Sequence, residues 1–433
     1  MRAFLRSVHR ARRRPARALL VACAATLLVP LLLPLAGAQA AAPVAAADGV
    51  QILPLRPLDV STKAAGESAP AAGSHGLPAT RTEPFSLLGV VWTDPAAELN
   101  GRAEVRTRDM ATGEWSEWQP LEPQQDHAPD PGSAESADEG LRGGTAPLWV
   151  GESDAVEVRV VPEDGGEPTA GLPDGLHLQL IDPGEVPADT AEVTEIEAED
   201  ATATGSGAEP GTEGSESGSD PSDPSDPGTG TEETPTPSAD HVGPRPAIVT
   251  RAGWGADESL REEEFLYTDD VRTAFVHHTA GSNDYACQEA DAVIRAIYSY
   301  HLSLGWRDVG YNFFVDRCGT IYEGRAGGVT EPVMGAHTYG HNHNSMGVAV
   351  LGSYGTTQPA KRAVEAVSQL LAWKLGLFDT NPLGAADRIS GGEDVRLDNV
   401  SGHRDGYATD CPGDQLYDEL PTIRELAAEL QGR

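Results

Sequence analysis

Positive charge is scarce in this chain of 433 residues. Lysine and arginine together number 31 against 67 aspartates and glutamates, and the only lysines are Lys63, Lys361 and Lys374. A protein that binds nucleic acid through its phosphates needs lysine and arginine in excess. We therefore exclude that class and expect no nucleic-acid partner.

The amino terminus is the most basic stretch of the chain. The first 17 residues hold seven arginines and no acidic residue, and an apolar run from Ala18 to Ala36 leads to Ala38-Gln39-Ala40. This order is typical of a secretory signal peptide. We predict such a peptide over residues 1–40, a secreted or cell-wall protein, and no stable membrane span after cleavage. The alternative is an uncleaved anchor, since the apolar run is just long enough to cross a bilayer.

Cysteine is also rare, with four residues in the chain, and Cys23 falls within the predicted signal peptide. The other three are Cys287, Cys318 and Cys411. An odd number in an oxidising compartment indicates one disulfide and one cysteine with another role.

Basic residues are absent from Val186 to Asp240, a stretch with 15 acidic residues and otherwise mostly Ser, Gly, Thr, Pro and Ala. Such a composition buries too little apolar surface to offset the entropy of ordering. We predict a disordered acidic linker over residues 186–243, which divides the chain into two parts.

The part before the linker has strand patterns and no catalytic motif. We predict a loose Ala-rich segment over residues 41–83 and a β-rich accessory module over 84–185. Residues 85–92 form an apolar run, and residues 103–108 and 156–160 alternate with the period of a strand. The module is either a binding domain or a spacer.

The part after the linker, residues 244–433, mixes strand and helix patterns. Residues 273–279 and 346–351 read as strands, whereas 286–302, 359–375 and 414–430 have helical spacing or composition. We predict an α/β catalytic domain with a mixed central sheet flanked by helices, preceded by the small all-β module and the linker.

Histidine and cysteine, two residue types suited to zinc, occur together in this second part. His277-His278 lies on the first predicted strand, and His403 precedes Cys411 by eight residues. Two histidines and a cysteine would leave the fourth tetrahedral position to water, as in a catalytic zinc site. The alternative is that each histidine is an ordinary polar residue and Cys411 half of a disulfide. Spacing alone does not decide between them.

At these residues the chain resembles the zinc amidases of peptidoglycan, a family that includes the peptidoglycan recognition proteins and phage amidase-type lysozymes. The resemblance extends over residues 246–418, in order. The matching blocks are Trp254-Gly255-Ala256, residues 275–281, Tyr300-His301, Gly305-Trp306, residues 308–313, residues 319–325, Gly335-Ala336-His337, residues 344–347, residues 402–405 and Cys411-Pro412-Gly413.

This resemblance implies a zinc-dependent N-acetylmuramoyl-L-alanine amidase, with peptidoglycan as its partner. By position, the zinc ligands are His277, His403 and Cys411. His278 would then pack behind the strand, because adjacent strand residues face opposite sides. Tyr311 matches a tyrosine that contacts the zinc-bound water or the oxyanion. Thr409 matches a catalytic position where some members carry Lys and others Thr, and its hydroxyl would supply a weaker hydrogen bond than a charged Lys.

The family match also suggests substrate contacts. His337 corresponds to a residue lining the substrate groove. The alternative is a second metal cluster of His337, His341 and His343, and we favour a solvated loop. Arg325 lies where the family distinguishes diaminopimelate from lysine, and a guanidinium can pair with a carboxylate. Selective members often continue with Gly-Trp, whereas Ala326-Gly327 follows here.

With Cys411 assigned to zinc by the family match, Cys287 and Cys318 are expected to form a disulfide; the alternative is two free buried thiols.

We expect a monomer whose catalytic domain folds and acts without the module. The competing function is a non-catalytic peptidoglycan-binding protein on the same fold, and a third reading is a surface protein with a vestigial amidase domain. Binding-only relatives commonly lack the cysteine, so Cys411 favours the enzyme.

Overall fold

Strands make up the first half of the structure, and strands and helices alternate in the second. The computed structural model describes residues 44–45, 49–58, 73–162, 171–185, 239–390 and 393–433. The predicted signal peptide and residues 186–238 of the predicted linker lie outside the described residues. The described residues belong to one unit of the chain, Pro43–Arg433.

The accessory module is all-β, as predicted. Its strands are β1 (Val44–Ala45), β2 (Val50–Pro54), β3 (Arg56–Pro57), β4 (His75–Trp92), β5 (Gly101–Asp109), β6 (Gln119–Leu121), β7 (Gly143–Gly144), β8 (Leu148–Pro162) and β9 (His177–Ile181). They form an antiparallel sheet of order β1-β2-β9-β4-β8-β5-β6, and β3 and β7 also pair with β4.

The sheet of the module begins earlier than the sequence patterns indicate. Strands β2 and β3 and the start of β4 lie within residues 41–83, predicted to be loose. Strand β2 is only five residues long, but it pairs along its whole length with β9. Its order therefore depends on a partner more than a hundred residues away, which a local pattern does not show.

Strand β4 has two apolar faces because its side chains alternate. Leu88, Val90 and Trp92 point into the module's own core. Leu87 and Val91 point the other way, into a core that also contains residues of the second domain. One strand therefore belongs to both cores.

The second domain is the predicted mixed α/β fold. Its strands are β10 (Thr273–His278), β11 (Phe313–Val315), β12 (Ile321–Glu323), β13 (Ser345–Val350), β14 (Ala385–Ser390), β15 (Glu393–Asp398) and β16 (Val400–Gly402). Its helices are α1 (Ala290–Ser303), α2 (Lys361–Gly376), α3 (His403–Gly406), α4 (Asp414–Tyr417) and α5 (Leu420–Leu430), with short 3-10 helices at Ala239–His241 and Cys287–Glu289.

The central sheet has the order β12-β11-β13-β10-β16. Strands β13 and β16 both pair in parallel with β10, β11 pairs in parallel with β13, and β12 is antiparallel to β11. Strands β14 and β15 form a separate antiparallel hairpin. The end of the predicted linker also belongs to this domain, since Gly243 N–H donates to the Ala372 carbonyl at 3.2 Å.

One face of the central sheet packs on α2 and α5. The sequence pattern predicts a single helix over residues 414–430, but the structure has α4 and α5. Pro421 lies in the first turn of α5, where its missing N–H is harmless; in the middle of one long helix it would remove a hydrogen bond and clash with the preceding turn.

The other face packs on α1, and α1 packs in turn on the module. Tyr300 of α1 donates its hydroxyl to the Thr145 carbonyl of the module at 2.8 Å. The ring lies so close to Gly89 of β4 that a Cβ there would be 2.3 Å from the hydroxyl oxygen. The two domains therefore share a core. Among the described residues, no helix has the length and apolar character needed to cross a membrane.

Candidate metal centre

The three residues predicted to bind zinc lie close together where β10 and β16 end. His277 lies near the end of β10, with its side chain on the face opposite Ala274 and Val276, which belong to the core under α2. His403 begins α3 directly after β16, and Cys411 follows in the next loop. Parallel strands bring these carboxyl ends to one edge of the sheet.

The donor atoms are close enough for one ion. Cys411 Sγ lies 3.7 Å from His277 Nδ1. Two such donors on a tetrahedral zinc, with bonds of about 2.3 Å and about 2.0–2.1 Å, would lie roughly 3.5 Å apart. The cluster also includes His403 and, from the module, His127, and the four ligand atoms lie within 4.8 Å of one another.

In each histidine of the cluster, the ring nitrogen that points away from the shared centre contacts another residue of the protein. Nε2 of His277 lies 3.2 Å from His337 Nδ1, and Nε2 of His403 lies 3.2 Å from the Asp126 carbonyl. Nδ1 of His127 lies 3.2 Å from Asp126 Oδ1. Such outer contacts set the tautomer of a metal-binding histidine and leave its second nitrogen to the metal.

Two of the ring nitrogens that face the cluster are direct evidence for a metal site. His127 Nε2 and His403 Nδ1 are buried and have no hydrogen-bond partner within the described ranges. A buried polar atom without a partner is costly, and a metal ion would remove that cost. The residues present therefore fit a zinc ion.

Burial sets the protonation of the cluster. It lowers the pKa of His277 and of His403 well below the ordinary value, and neighbouring histidines lower both further. Burial also raises the pKa of the Cys411 thiol, although the His278 N–H donates to its sulfur at 3.4 Å. The imidazoles of His277 and His403 are thus neutral, the form that binds metal, and the thiol would lose its proton on binding.

Tyr311 lies beside the cluster. Its ring centroid is 5.4 Å from that of His277 and 5.7 Å from that of His127. Burial raises the pKa of the phenol, and the nearby Cys411 and Asp126 raise it further, whereas the side chain of Gln124 hydrogen-bonds to it. The hydroxyl is therefore protonated at neutral pH and can act as a donor.

Thr409 lies between the loop and the module. Its hydroxyl accepts from the Cys411 N–H at 3.2 Å and hydrogen-bonds to the Asp126 side chain. Burial alone would raise the pKa of Asp126, but His127, His403 and Thr409 outweigh it and hold that pKa well below its ordinary value. In this structure Thr409 is a positioning contact.

His278 lies outside the cluster. Its Nδ1 accepts from the Tyr354 N–H at 3.3 Å, and burial lowers its pKa to about 3. This placement agrees with the expectation that only one residue of the pair faces the metal.

His337 contacts His277 rather than an open groove. It is fully buried, and its backbone N–H donates to Asn342 Oδ1 at 2.7 Å. His341 is buried as well, while His343 is exposed. No metal-binding group that the described residues form includes these three histidines. The loop is only partly solvated, contrary to our preferred reading of the sequence.

Arg325 is already paired with a carboxylate. Its Nη1 and Nη2 donate to the two carboxylate oxygens of Glu135, a module residue, at 2.8 and 2.9 Å. Both side chains are buried. The guanidinium predicted to meet a substrate carboxylate therefore holds one from its own chain.

The module's part in this site does not follow from the sequence motifs. Residues Glu122–Glu135, here called the covering segment, supply Asp126, His127, Asp130 and Glu135. The available signal was the adjacent acid–histidine pair Asp126-His127 in a Pro-rich turn, but the family motifs begin more than a hundred residues later. The expected disulfide is confirmed, since Cys287 and Cys318 are bonded and Cys411 is free.

Fold and site together define a mixed α/β domain with a His/Cys donor cluster, preceded by an all-β module. Two family models match the chain. "Rv3811 N-terminal galactose-binding domain-like" matches residues 40–183, and "N-acetylmuramoyl-L-alanine amidase" matches residues 267–414. The all-β assignment and the α/β assignment are thus both confirmed.

Relatives match the second domain. Peptidoglycan-recognition protein SC2 of Drosophila simulans is 32% identical over 178 residues, 40% of this chain and 85% of the relative. The N-acetylmuramoyl-L-alanine amidase of Homo sapiens is 34% identical over 193 residues, 43% of this chain and 30% of the relative. The solved structure of Drosophila PGRP-LB aligns with 40% of this chain and 92% of its own, at 25% identity and a TM-score of 0.33. The chain belongs to the family of peptidoglycan recognition proteins and type-2 N-acetylmuramoyl-L-alanine amidases.

Proposed function

We propose that this protein is a secreted, zinc-dependent N-acetylmuramoyl-L-alanine amidase. It would hydrolyse the amide between N-acetylmuramic acid and the L-Ala of the stem peptide. The observation that carries the proposal is the convergence of His277, His403 and Cys411 at one sheet edge, with a protonated Tyr311 beside them.

The residues of the site would have separate roles in metal binding and catalysis. His277, His403 and Cys411 would hold the ion, and His337 would fix the orientation of His277. Zinc bound there would supply Lewis-acid activation of water and of the scissile carbonyl. Tyr311 would donate a hydrogen bond to the carbonyl oxygen as negative charge develops on it.

The surroundings proposed for the protein are the cell wall and the exterior. The predicted signal peptide supports export, and the Cys287–Cys318 disulfide is typical of proteins from oxidising compartments. Peptidoglycan is the proposed partner because relatives are named for recognising it or for cleaving this amide.

The test combines metal analysis with the chemistry of the product. The full chain is loaded with zinc and incubated with soluble muropeptides, and newly exposed L-Ala amino groups are counted. The same assay is run on Cys411→Ser and, because His127 lies against the ligand cluster, on His127→Ala.

Amide hydrolysis that disappears with a chelator and returns with zinc would support the enzyme. If neither the wild type nor His127→Ala releases L-Ala termini while both bind muropeptide, the protein is instead a peptidoglycan-binding member of the family. Full activity in Cys411→Ser would show that the assignment of Cys411 as a zinc ligand is wrong.

A further inference from the structure

We propose that the covering segment holds the metal centre closed, with His127 as a fourth protein ligand, so that the chain is latent until this segment moves. The inference rests on the proposed zinc site but concerns a different part of the chain. It makes the module a regulator of the site rather than a spacer.

His127 occupies the place that a catalytic centre leaves open. A zinc ion with three protein ligands keeps its fourth position for water, whereas four protein ligands make a closed, structural type of site. The ring of His127 is 4.3 Å from that of His403, and its buried Nε2 has no hydrogen-bond partner in the described part of the chain. Asp126 fixes the ring through Nδ1 and leaves Nε2 for the metal.

The same segment occupies the contacts predicted for the substrate. The Glu135 carboxylate accepts hydrogen bonds from Nη1 and Nη2 of Arg325. Asp130 accepts from the backbone N–H groups of Gly340 and Asn342 at 2.9 and 3.1 Å, in the loop after His337. At this edge, residues of the module stand in for a bound ligand.

The free space at the cluster is small. The cavity bordered by Tyr311 and Cys411 measures about 20 Å³, room for about one water molecule. A cavity of about 440 Å³ lies next to it, a volume within the range of ligand pockets. Gln124 and His127 line both cavities. A muropeptide in the larger cavity would reach the cluster only after His127 moves.

Opening needs only a local change. The module is anchored elsewhere, by Leu87, Val91 and Trp149 packed with α1 in a shared core. The covering segment lies between β6 and β7, and its contacts with the second domain are polar at Asp130 and Glu135. It can therefore leave the cluster while the module stays in place.

The test is X-ray absorption at the zinc edge of the full-length, zinc-loaded protein, combined with muropeptide hydrolysis. We expect three imidazoles and one sulfur around zinc in the wild type. In His127→Ala, an oxygen should replace one imidazole, with the zinc content unchanged. Activity should rise by about tenfold or more, since a latent state leaves only a minor fraction competent. Glu157→Gln, which breaks the ion pair with Arg106 inside the module, serves as the matched control and should change neither readout.

The wild-type spectrum decides the ligand claim even if His127→Ala folds poorly. Two imidazoles, one sulfur and one oxygen in the wild type would overturn the inference and leave the proposed amidase intact. A zinc-free wild type would overturn both. If His127→Ala binds zinc but hydrolyses muropeptides more slowly than the wild type, the covering segment completes the active site, and the latency claim is wrong.

Discussion

Glu135 and Arg325 form a buried, two-pronged ion pair across the boundary between the module and the second domain, 190 residues apart in the chain. Arg325 also donates to the Val309 carbonyl at 2.8 Å. The pair holds the covering segment beside the His/Cys cluster. It also means that the arginine assigned to substrate recognition is occupied in this conformation.

Removal of the Glu135 carboxylate should destabilise the protein strongly. In Glu135→Ala, Arg325 remains buried with an uncompensated charge, which typically costs about 3–5 kcal/mol. We expect a loss of this size in the free energy of unfolding, measured by urea titration. Glu365→Ala provides the comparison, because its pair with Lys361 is exposed and such pairs contribute only about 0–1 kcal/mol. Equal losses for the two variants would contradict the buried-pair interpretation.

Cleavage of the chain between the domains should not separate them. Leu87 and Trp149 of the module share a core with α1, so the nicked halves should remain together. The experiment inserts a protease site after Gly230, cuts the chain, and measures co-elution on size exclusion.

A variant of the interface tests the same point. Gly89→Ala puts a methyl group against the Tyr300 hydroxyl and should weaken the association of the nicked halves. Gly171→Ala, where a Cβ meets nothing within 4 Å, should leave it unchanged. Halves that separate freely without any substitution would restore the expectation that the second domain acts alone.

Loss of a ligand should remove metal and activity together. Cys411→Ser and His403→Ala each delete a donor at a buried site whose neighbours remain in place, so much of the fold should persist. We expect zinc content, measured by atomic absorption, to fall with amide hydrolysis, while circular dichroism stays close to that of the wild type. Near-full activity in either variant would rule out that residue as a ligand.

The sequence was informative where chemistry follows a local motif. Strand alternation puts His277 and His278 on opposite faces, and the ordered family blocks select His277, His403 and Cys411. The family match also leads to the Cys287–Cys318 disulfide. The presence of His127 and Glu135 at the site could not be predicted, because no sequence motif links them to the second domain. They arrive at the site only because α1 packs on β4, a contact between segments about two hundred residues apart.

Lys374 should make stability depend on pH. Its Nζ is buried and donates to the Val329 and Glu331 carbonyls at 2.8 and 2.7 Å, and burial lowers its pKa to about 7. Between this value and the ordinary value of about 10.4 in the unfolded chain, only the unfolded state binds the proton. The free energy of unfolding should therefore rise with pH above 7, by up to about 1.4 kcal/mol per unit.

The comparison for Lys374 uses methionine at two positions. Lys374→Met should flatten the rise between pH 7 and pH 9, measured by urea titration at each pH. Lys361→Met, at an exposed lysine, should leave the slope unchanged. Parallel curves for the wild type and Lys374→Met would contradict the assignment.

Tyr311→Phe should lower turnover far more than it weakens substrate binding. The hydroxyl would donate mainly in the transition state, and loss of one such donor typically costs on the order of 100-fold in kcat, about 3 kcal/mol. The ring remains, so its edge contact with Phe314 and the zinc content should be retained. Because the covering segment affects access, kcat and KM are compared with and without Tyr311→Phe in both the wild-type and the His127→Ala background. An unchanged kcat in both, with zinc bound, would reduce Tyr311 to a packing residue beside the metal.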